Sequence, residues 1–360
     1  MIGYLVRRIA WMVPTLIATT LLTFLAVHVA PGDPVSAMLG TDGEAEMDTE
    51  ALATRRAAIE HRYGFDRSFA VQYLNFLGPF NLLDDGHPWF GGDGRQPYGG
   101  LFALDLREEI QRPGLSIASE IRRRLSVTVP VALSSLLLTL VIGIPLGVYG
   151  ALRRGRVSDR LVTLLSFAIF ATPGFLGAIL LVLSFGETGL GWLPVIGIAD
   201  VDAREYSDKE RLLDWGRHAV LPVIALSYAN AAYLARHVRA SMSDALASPA
   251  VRTARAMGLS EVSVVGKHAL RQALLPAITV LGGMIPLVIG GSVVIETVFE
   301  LPGVGRYGFE GFLRRDVHVI LSTTALGAIL TLIGMLVTDL AYVAADPRID
   351  LRARWEGRGG

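Results

Sequence analysis

Long apolar runs alternate with short polar links over most of this 360-residue chain. Five runs are long enough to cross a hydrocarbon layer about 30 Å thick: Ile9–Ala30, Val127–Tyr149, Leu161–Phe185, Ile278–Val298 and Ile320–Ala344. A sixth, Val220–Ala235, is shorter and carries Ser227, Tyr228 and Asn230, but Arg236 and Arg239 follow it as they would follow a span. The pattern predicts an all-α polytopic membrane protein with about six transmembrane helices. It also divides the chain. Residues 1–30 hold the N-terminus and first span, 31–126 a long extracytoplasmic region, 127–344 a five-helix core with a polar loop at 236–277, and 345–360 a tail.

The arginines orient the spans. Arg7 and Arg8 precede the first; Arg153, Arg154, Arg156 and Arg160 fill the link between the second and third; Arg348, Arg352, Arg354 and Arg358 follow the last. With six spans these fall on one side, which the positive-inside rule makes the cytoplasm, together with both termini. The segment Gly186–Arg217, with Asp200, Asp202, Glu205, Asp208, Glu210 and Asp214 among its acids, suits the outside. Arg122-Arg123-Arg124 runs against this arrangement, but it ends a long loop, and long loops cross largely regardless of charge.

Several breaks punctuate the apolar pattern. Ala30-Pro31-Gly32-Asp33-Pro34 is a rigid turn that ends the first span. In the long polar region Glu50–Tyr63 reads as a helix ended at Gly64, while residues 79–100, rich in Gly, Asp and Pro, read as loop. Pro173-Gly174 interrupts the third span and permits a kink, a candidate for gating. Gly282-Gly283 and Gly290-Gly291 in the fifth would let helices approach closely. Glu296, an acid near the end of that span, reads as a structural cap or ion pair.

The polar stretch Ser248–Pro276 stands out between two apolar runs. Arg252, Arg255, Lys267 and Arg271 oppose one acid, Glu261. Helix-forming residues lead to Gly258, a helix stop, and Leu-Ser then offers a fresh N-cap. A second helix runs from Glu261 to Leu275, bounded by Pro276.

Composition agrees with a membrane protein: 52% of residues are hydrophobic, 18% charged, and mean hydropathy is +0.47. The zero formal net charge gives no reason to expect a nucleic-acid partner. Without cysteine there is no disulfide, thiolate metal site or cysteine nucleophile. Lys209 and Lys267 sit in no phosphate-binding loop, so any ATP and Mg would be bound by another subunit. The N-terminus shows no cleavable signal, since no small-residue site closes its apolar run before Pro31. The chain has no H-E-x-x-H or G-x-S-x-G, and its seven histidines (His28, His61, His87, His218, His237, His268, His318) are scattered, so neither catalysis nor a metal cluster is expected.

Residues 248–276 resemble the EAA loop of ABC importer permeases, whose pattern is E-A-A-x3-G then x9-I-x-L-P. The triplet falls on Arg252-Thr253-Ala254, the glycine on Gly258 and a leucine on Leu270. Arg252, His268 and Arg271 depart from the pattern, so no ion pair from a leading Glu is implied. The form VRTARAxGL…HALRxALLP is similar to that of dipeptide and oligopeptide permeases. APGDP after the first span, FDRSFAVQYLNFLG at Phe65–Gly78, a short lead-in helix at Gly114–Leu125, Glu296-Thr297 and the DPR terminus resemble the same family. So does FELPGVGRYGFEGFLRRDVHVI, with Pro302, Gly303, Gly305, Arg306, Arg315 and Asp316 at matching spacing in an outer loop. The resemblance implies the type I importer (MetI-like) permease fold in a bacterial inner membrane. It further implies a second permease subunit, two ATPase subunits docked on coupling residues Arg252, Thr253, Ala254, Arg255, Gly258 and Leu270, and an extracytoplasmic binding protein. Peptides are the implied cargo, with nickel chelates, glutathione and peptide-like antibiotics as alternatives. An ion-driven secondary transporter would need buried acids or broken helices in corresponding halves, and a non-transporting scaffold leaves the basic hairpin without a purpose.

Overall fold

The computed structural model describes residues 2–30, 34–39, 49–78, 100–186, 188–274, 278, 282 and 293–345. Its helices are α1 (Ile2–Val29), α2 (Pro34–Leu39), α3 (Thr49–Tyr63), α4 (Phe69–Leu77), α5 (Ile117–Leu152), α6 (Val157–Ala171), α7 (Gly174–Phe185) and α8 (Asp208–Leu246). There follow α9 (Pro249–Ala256), α10 (261–274, passing through a π turn at Val264–Ala269), α11 (Val293–Val298), α12 (Val304–Leu313) and α13 (Val317–Ala345). No strand forms among the described residues. α1, α5, α8 and α13 are each long and apolar enough to cross a membrane, and the bent pair α6–α7 makes up to a fifth. The predicted run at 278–298 lies mostly outside the described residues, as do the 79–100 loop, Pro31-Gly32-Asp33, Pro276, Gly283, Gly290-Gly291 and the tail after residue 345. Gly282 is described, and it packs so closely on Thr338 that a side chain there would overlap it.

The chain divides into two compact units, Met1–Ala10 with Val127–Arg306 and Leu330–Gly360, and Trp11–Ser126 with Tyr307–Ile329. The core of the second gathers Phe24, Tyr73, Phe76, Ile110 and Leu321. The Tyr73 hydroxyl donates to the Ile17 carbonyl at 2.8 Å, so the ring stays buried with its polar end satisfied. The predicted helix at 50–63 is α3, closed by Gly64 at φ +71°. The short lead-in helix expected before the second span is instead continuous with it in the 36-residue α5. Glu120 accepts from Arg123 at 2.9 Å and Arg124 at 3.2 Å one turn on, which sustains the helix through its polar start. The same pairs neutralise two of the three arginines in the triplet.

In the first unit α8 is the spine. At 39 residues it is about 58 Å long, well beyond the apolar run 220–235. A capping box of Ser207 and Glu210 starts it. α5 approaches it through glycine: a Cβ on Gly147 would stand 2.6 Å from the Ala235 carbonyl oxygen.

α6 and α7 meet at a bend of 100°, sharper than a proline kink in a continuous helix. Thr172 and Pro173 are extended there (ψ 118° and 141°), as the residue before a proline prefers. The Pro173 carbonyl already accepts from the Gly177 amide at 3.0 Å as the first bond of α7, but the Thr172 carbonyl is left free by the break, and the Tyr228 hydroxyl of α8 lies 3.1 Å from it and from the Pro173 oxygen. Gly177 makes room, since a side chain there would overlap the Tyr228 ring. Gly174 opens α7 with open space where a Cβ would stand. Tyr228→Phe should cost about 1 kcal/mol, near the usual worth of a hydrogen bond between membrane helices. It should appear as a lowered melting temperature in detergent, and an unchanged value would show that the hydroxyl does not hold the bend.

Candidate functional site: the basic hairpin and the glycine loop

Ser248 caps α9, its hydroxyl accepting from the Val251 amide at 3.4 Å, and Pro249 fits the first helical position. Gly258 ends the helix at φ +77°, with the Leu259 amide reaching back to the Ala254 carbonyl at 3.3 Å. Ser260 then caps α10 by accepting from the Ser263 amide. Arg255 closes the hairpin, gripping Glu261 through two hydrogen bonds of 2.9 and 3.2 Å. Arg252 folds back on the Ala247 carbonyl at 2.9 Å.

Two faces result. Val251 and Ala254 are buried against Met242, Ala245, Val264 and Ala269, and Leu270 packs partly buried on the same cluster. Ala254 therefore seats the hairpin with no surface left for a partner, and Leu270 adds to the seat with part of its side chain still exposed. Arg252, Thr253, Arg255 and Gly258 lie on the outside. With them stand Met257, 67% exposed, and Val262, 85% exposed, which the sequence reading did not single out. Their signal was present: apolar residues flanking a helix-stop glycine inside a polar hairpin have no core to enter.

A second tie fixes the base of this element. Asp159, at the start of α6, is buried and takes both Nε and Nη2 of Arg239 on α8, at 2.6 and 2.8 Å, and also the Gly155 amide at 3.0 Å. The pair links the Arg-rich link at 153–156 to the helix that carries the hairpin. Asp159→Ala leaves Arg239 unpaired. Loss of a fully buried partner costs roughly 3–5 kcal/mol, and partial exposure of Arg239 reduces the expected cost to about 2 kcal/mol. Thermal unfolding of the solubilised protein checks it, and a shift no larger than that of an exposed control such as Asp202→Ala would contradict the tie.

The glycine loop is built around a carboxylate. Glu296, on α11, is 2% exposed. It accepts from the Thr128 hydroxyl at 2.8 Å and from the Arg306 backbone amide at 2.7 Å, while Thr128 in turn accepts from the Val304 amide at 2.9 Å. A Cβ on Gly303 would occupy the space of the Glu296 carboxyl, and one on Gly305 would press on Val293 and the same carboxyl. Pro302 sets the turn, and Gly303 and Gly305 let backbone wrap the acid as a nest. Glu296 thus anchors the loop through hydrogen bonds to a hydroxyl and a backbone amide. In the second unit Asp316 plays a similar part: it caps α13 by accepting from the Val319 amide at 3.2 Å and also takes the Gln111 amide at 3.1 Å. Arg315 before it is left-handed, at φ +56°.

One histidine has acidic neighbours that the sequence reading did not foresee. His218 is buried, with Nδ1 donating to the Asp214 carbonyl at 3.0 Å and lying 3.1 Å from the Asp214 carboxylate. Its Nε2 lies 3.7 Å from Asp200. The three groups come within 4.8 Å of one another, so a cluster that could offer ligands does exist where none was expected. It ties the acid-rich segment to α8.

Known proteins are similar to this chain in sequence and in fold. The sequence pattern of the family described as "Binding-protein-dependent transport system inner membrane component" matches residues 143–351. The oligopeptide transport system permease protein AppB of Bacillus subtilis is 35% identical over 350 residues, 97% of this chain and 100% of that one. The di/tripeptide permease DppB of Pseudomonas aeruginosa is 33% identical over 97% of this chain and 99% of its own length. The glutathione permease GsiC of Escherichia coli K12 is 31% identical over 97% and 99% respectively. Among solved structures, the inward-facing MetNI methionine ABC transporter aligns with 63% of this chain and 96% of its own chain, at 19% identity and a TM-score of 0.50.

Proposed function

The chain belongs to the binding-protein-dependent transport system inner membrane component family, and from that premise we propose that it is the peptide permease of an ABC importer. Cargo of the dipeptide or oligopeptide class passes through it into the cytoplasm, and its peptide-transporting relatives support that class over glutathione or chelated nickel. A second permease subunit completes the path. Two ATPase subunits bind ATP and Mg, this chain hydrolyses nothing, and an extracytoplasmic binding protein delivers cargo. The hairpin side, with both termini, faces the cytoplasm.

The observation that carries this reading is the two-faced hairpin. A helix seated by Val251 and Ala254, with Arg252, Thr253, Arg255, Met257 and Val262 outward, is a rigid wedge with an apolar-basic tip. A motor that moved the wedge would move α8, because the hairpin's seat and the Asp159–Arg239 pair both grip that helix. α8 also holds the α6–α7 break through Tyr228. Force applied at the tip therefore reaches the bend.

The test is to tag this chain in its native host, solubilise it gently and identify what accompanies it. Two ATPases, a sister permease and a binding protein are expected, and the ligand carried by the binding protein names the cargo. Isolation alone, under conditions that keep a control importer intact, would remove the partner that the hairpin requires.

A further inference from the structure

Arg236 sits one turn before Arg239 on α8, yet the two arginines differ in fate. Arg239 is neutralised by Asp159. No carboxylate pairs with Arg236 among the described residues, and its Nε is buried without a hydrogen-bond partner. Its guanidinium lies instead over aromatic rings, 4.8 Å from the centre of Phe167, 4.5 Å from Phe170 and 5.9 Å from Tyr233. Rings hold a cation in place without cancelling its charge.

The direction of the side chain matters. Helical side chains lean toward their helix N-terminus, which for α8 leads away from the Arg239 pair and toward the bend at Thr172-Pro173. Phe167 and Phe170 lie about 15–20 Å along α6 from Val157, at 1.5 Å per residue. The charge therefore points inward along the span, where a snorkelling arginine would reach back to the polar link. Phe167 and Phe170 are 52% and 44% exposed, so the aromatic cluster is open on its far side. On the same stripe of α6, Thr163 has a buried hydroxyl without a partner. Facing lipid, such an array would carry the cost of an uncompensated charge at depth; lining a water-filled path beside a broken helix, it would not.

We propose that Arg236, held by Phe167, Phe170 and Tyr233, is an anion-binding station on the transport path that takes the C-terminal carboxylate of a passing peptide. The inference rests on the permease reading above. A phospholipid phosphate is the other source of the same oxyanion chemistry, and the experiment separates them.

The chain has no cysteine, so one introduced thiol reports on one place. Ala171→Cys lies one helical turn from Phe167 on the exposed side of α6, with Ala168→Cys as a second reporter. The complete importer carrying either is reconstituted in liposomes and treated with the anionic sulfonatoethyl or the cationic trimethylammonioethyl methanethiosulfonate, and labelling of this chain is followed by mass. The anionic reagent is expected to react faster, and Arg236→Gln to lower its advantage about tenfold. A dipeptide with a free carboxyl should slow the anionic reaction where its amide does not. Absence of labelling by both reagents at both reporters, an advantage unchanged in Arg236→Gln, or equal protection by peptide and amide would each overturn the proposal. So would an anionic advantage abolished by adding phosphatidylglycerol to neutral liposomes, which would assign the site to lipid. Failure of ATPases to co-purify would sink the permease reading whatever the thiols show; co-purification without charge preference would sink the station alone.

Discussion

Replacing Gly303 by Val is expected to destabilise the protein by about 3 kcal/mol, at the upper end of what overpacking typically costs, about 1–3 kcal/mol. The obstacle is no yielding side chain but the buried Glu296 carboxyl, which a Cβ at 303 would overlap. If the loop moved away, the carboxylate would lose the Arg306 amide and remain buried with fewer donors. A double-mutant cycle isolates the cause. Gly303→Ala should cost about 1–2 kcal/mol less in a Glu296→Ala background than in the wild type, as read from thermal unfolding of the solubilised protein. Additive costs would mean that the glycine serves the turn alone and the nest around Glu296 has no energetic weight.

Gly258→Val is expected to abolish transport while leaving the amount of protein in the membrane within about twofold of wild type. Nothing lies within 4 Å of a Cβ placed at 258, so space is not the obstacle. Backbone conformation is: φ is +77°, a region that costs an L-residue roughly 1–2 kcal/mol and a β-branched residue more. The chain would escape by unwinding the turn between α9 and α10, and the exposed tip would lose its shape while Val251 and Ala254 keep their seat. Gly258→Asn is the control, because asparagine tolerates the left-handed conformation; it should retain most uptake. Vesicle uptake of a labelled dipeptide, with abundance measured by immunoblot, decides the matter. Wild-type uptake by the Val variant at wild-type abundance would rule out the turn as a coupling element.

The spans and the hairpin were legible because they depend on local pattern. Apolar run length marks a crossing, and Ser248, Gly258 and Ser260 mark helix ends by capping chemistry that acts within a few residues. The contacts that give those elements purpose join distant positions. Arg239 was visible only as an arginine after a span, and nothing in the local pattern singled out Asp159 among the arginines of its link. Glu296 and the PGVGR loop were noted side by side, but that the loop wraps the acid depends on how the chain returns on itself. Tyr228 looked like a blemish in a doubtful span until the break at Thr172-Pro173 was found to need a donor. In the hairpin, the spacing that placed Ala254 and Leu270 among the coupling residues could not tell which side of a short helix is buried. Met257 and Val262 emerged only once the seat was known.

The contact proposed between the hairpin and an ATPase is open to one direct measurement. Met257→Cys places the chain's sole thiol at the exposed tip, and Val201→Cys, at a residue 98% exposed in the acid-rich segment, is its counterpart. Membranes of the native host containing either variant are treated with a short thiol–amine crosslinker, and the partner is identified by mass. Crosslinking of Met257→Cys to an ATPase subunit, with none from Val201→Cys, is the result expected. An ATPase captured from position 201, or none from position 257 in membranes where the complex is shown to be intact, would contradict it.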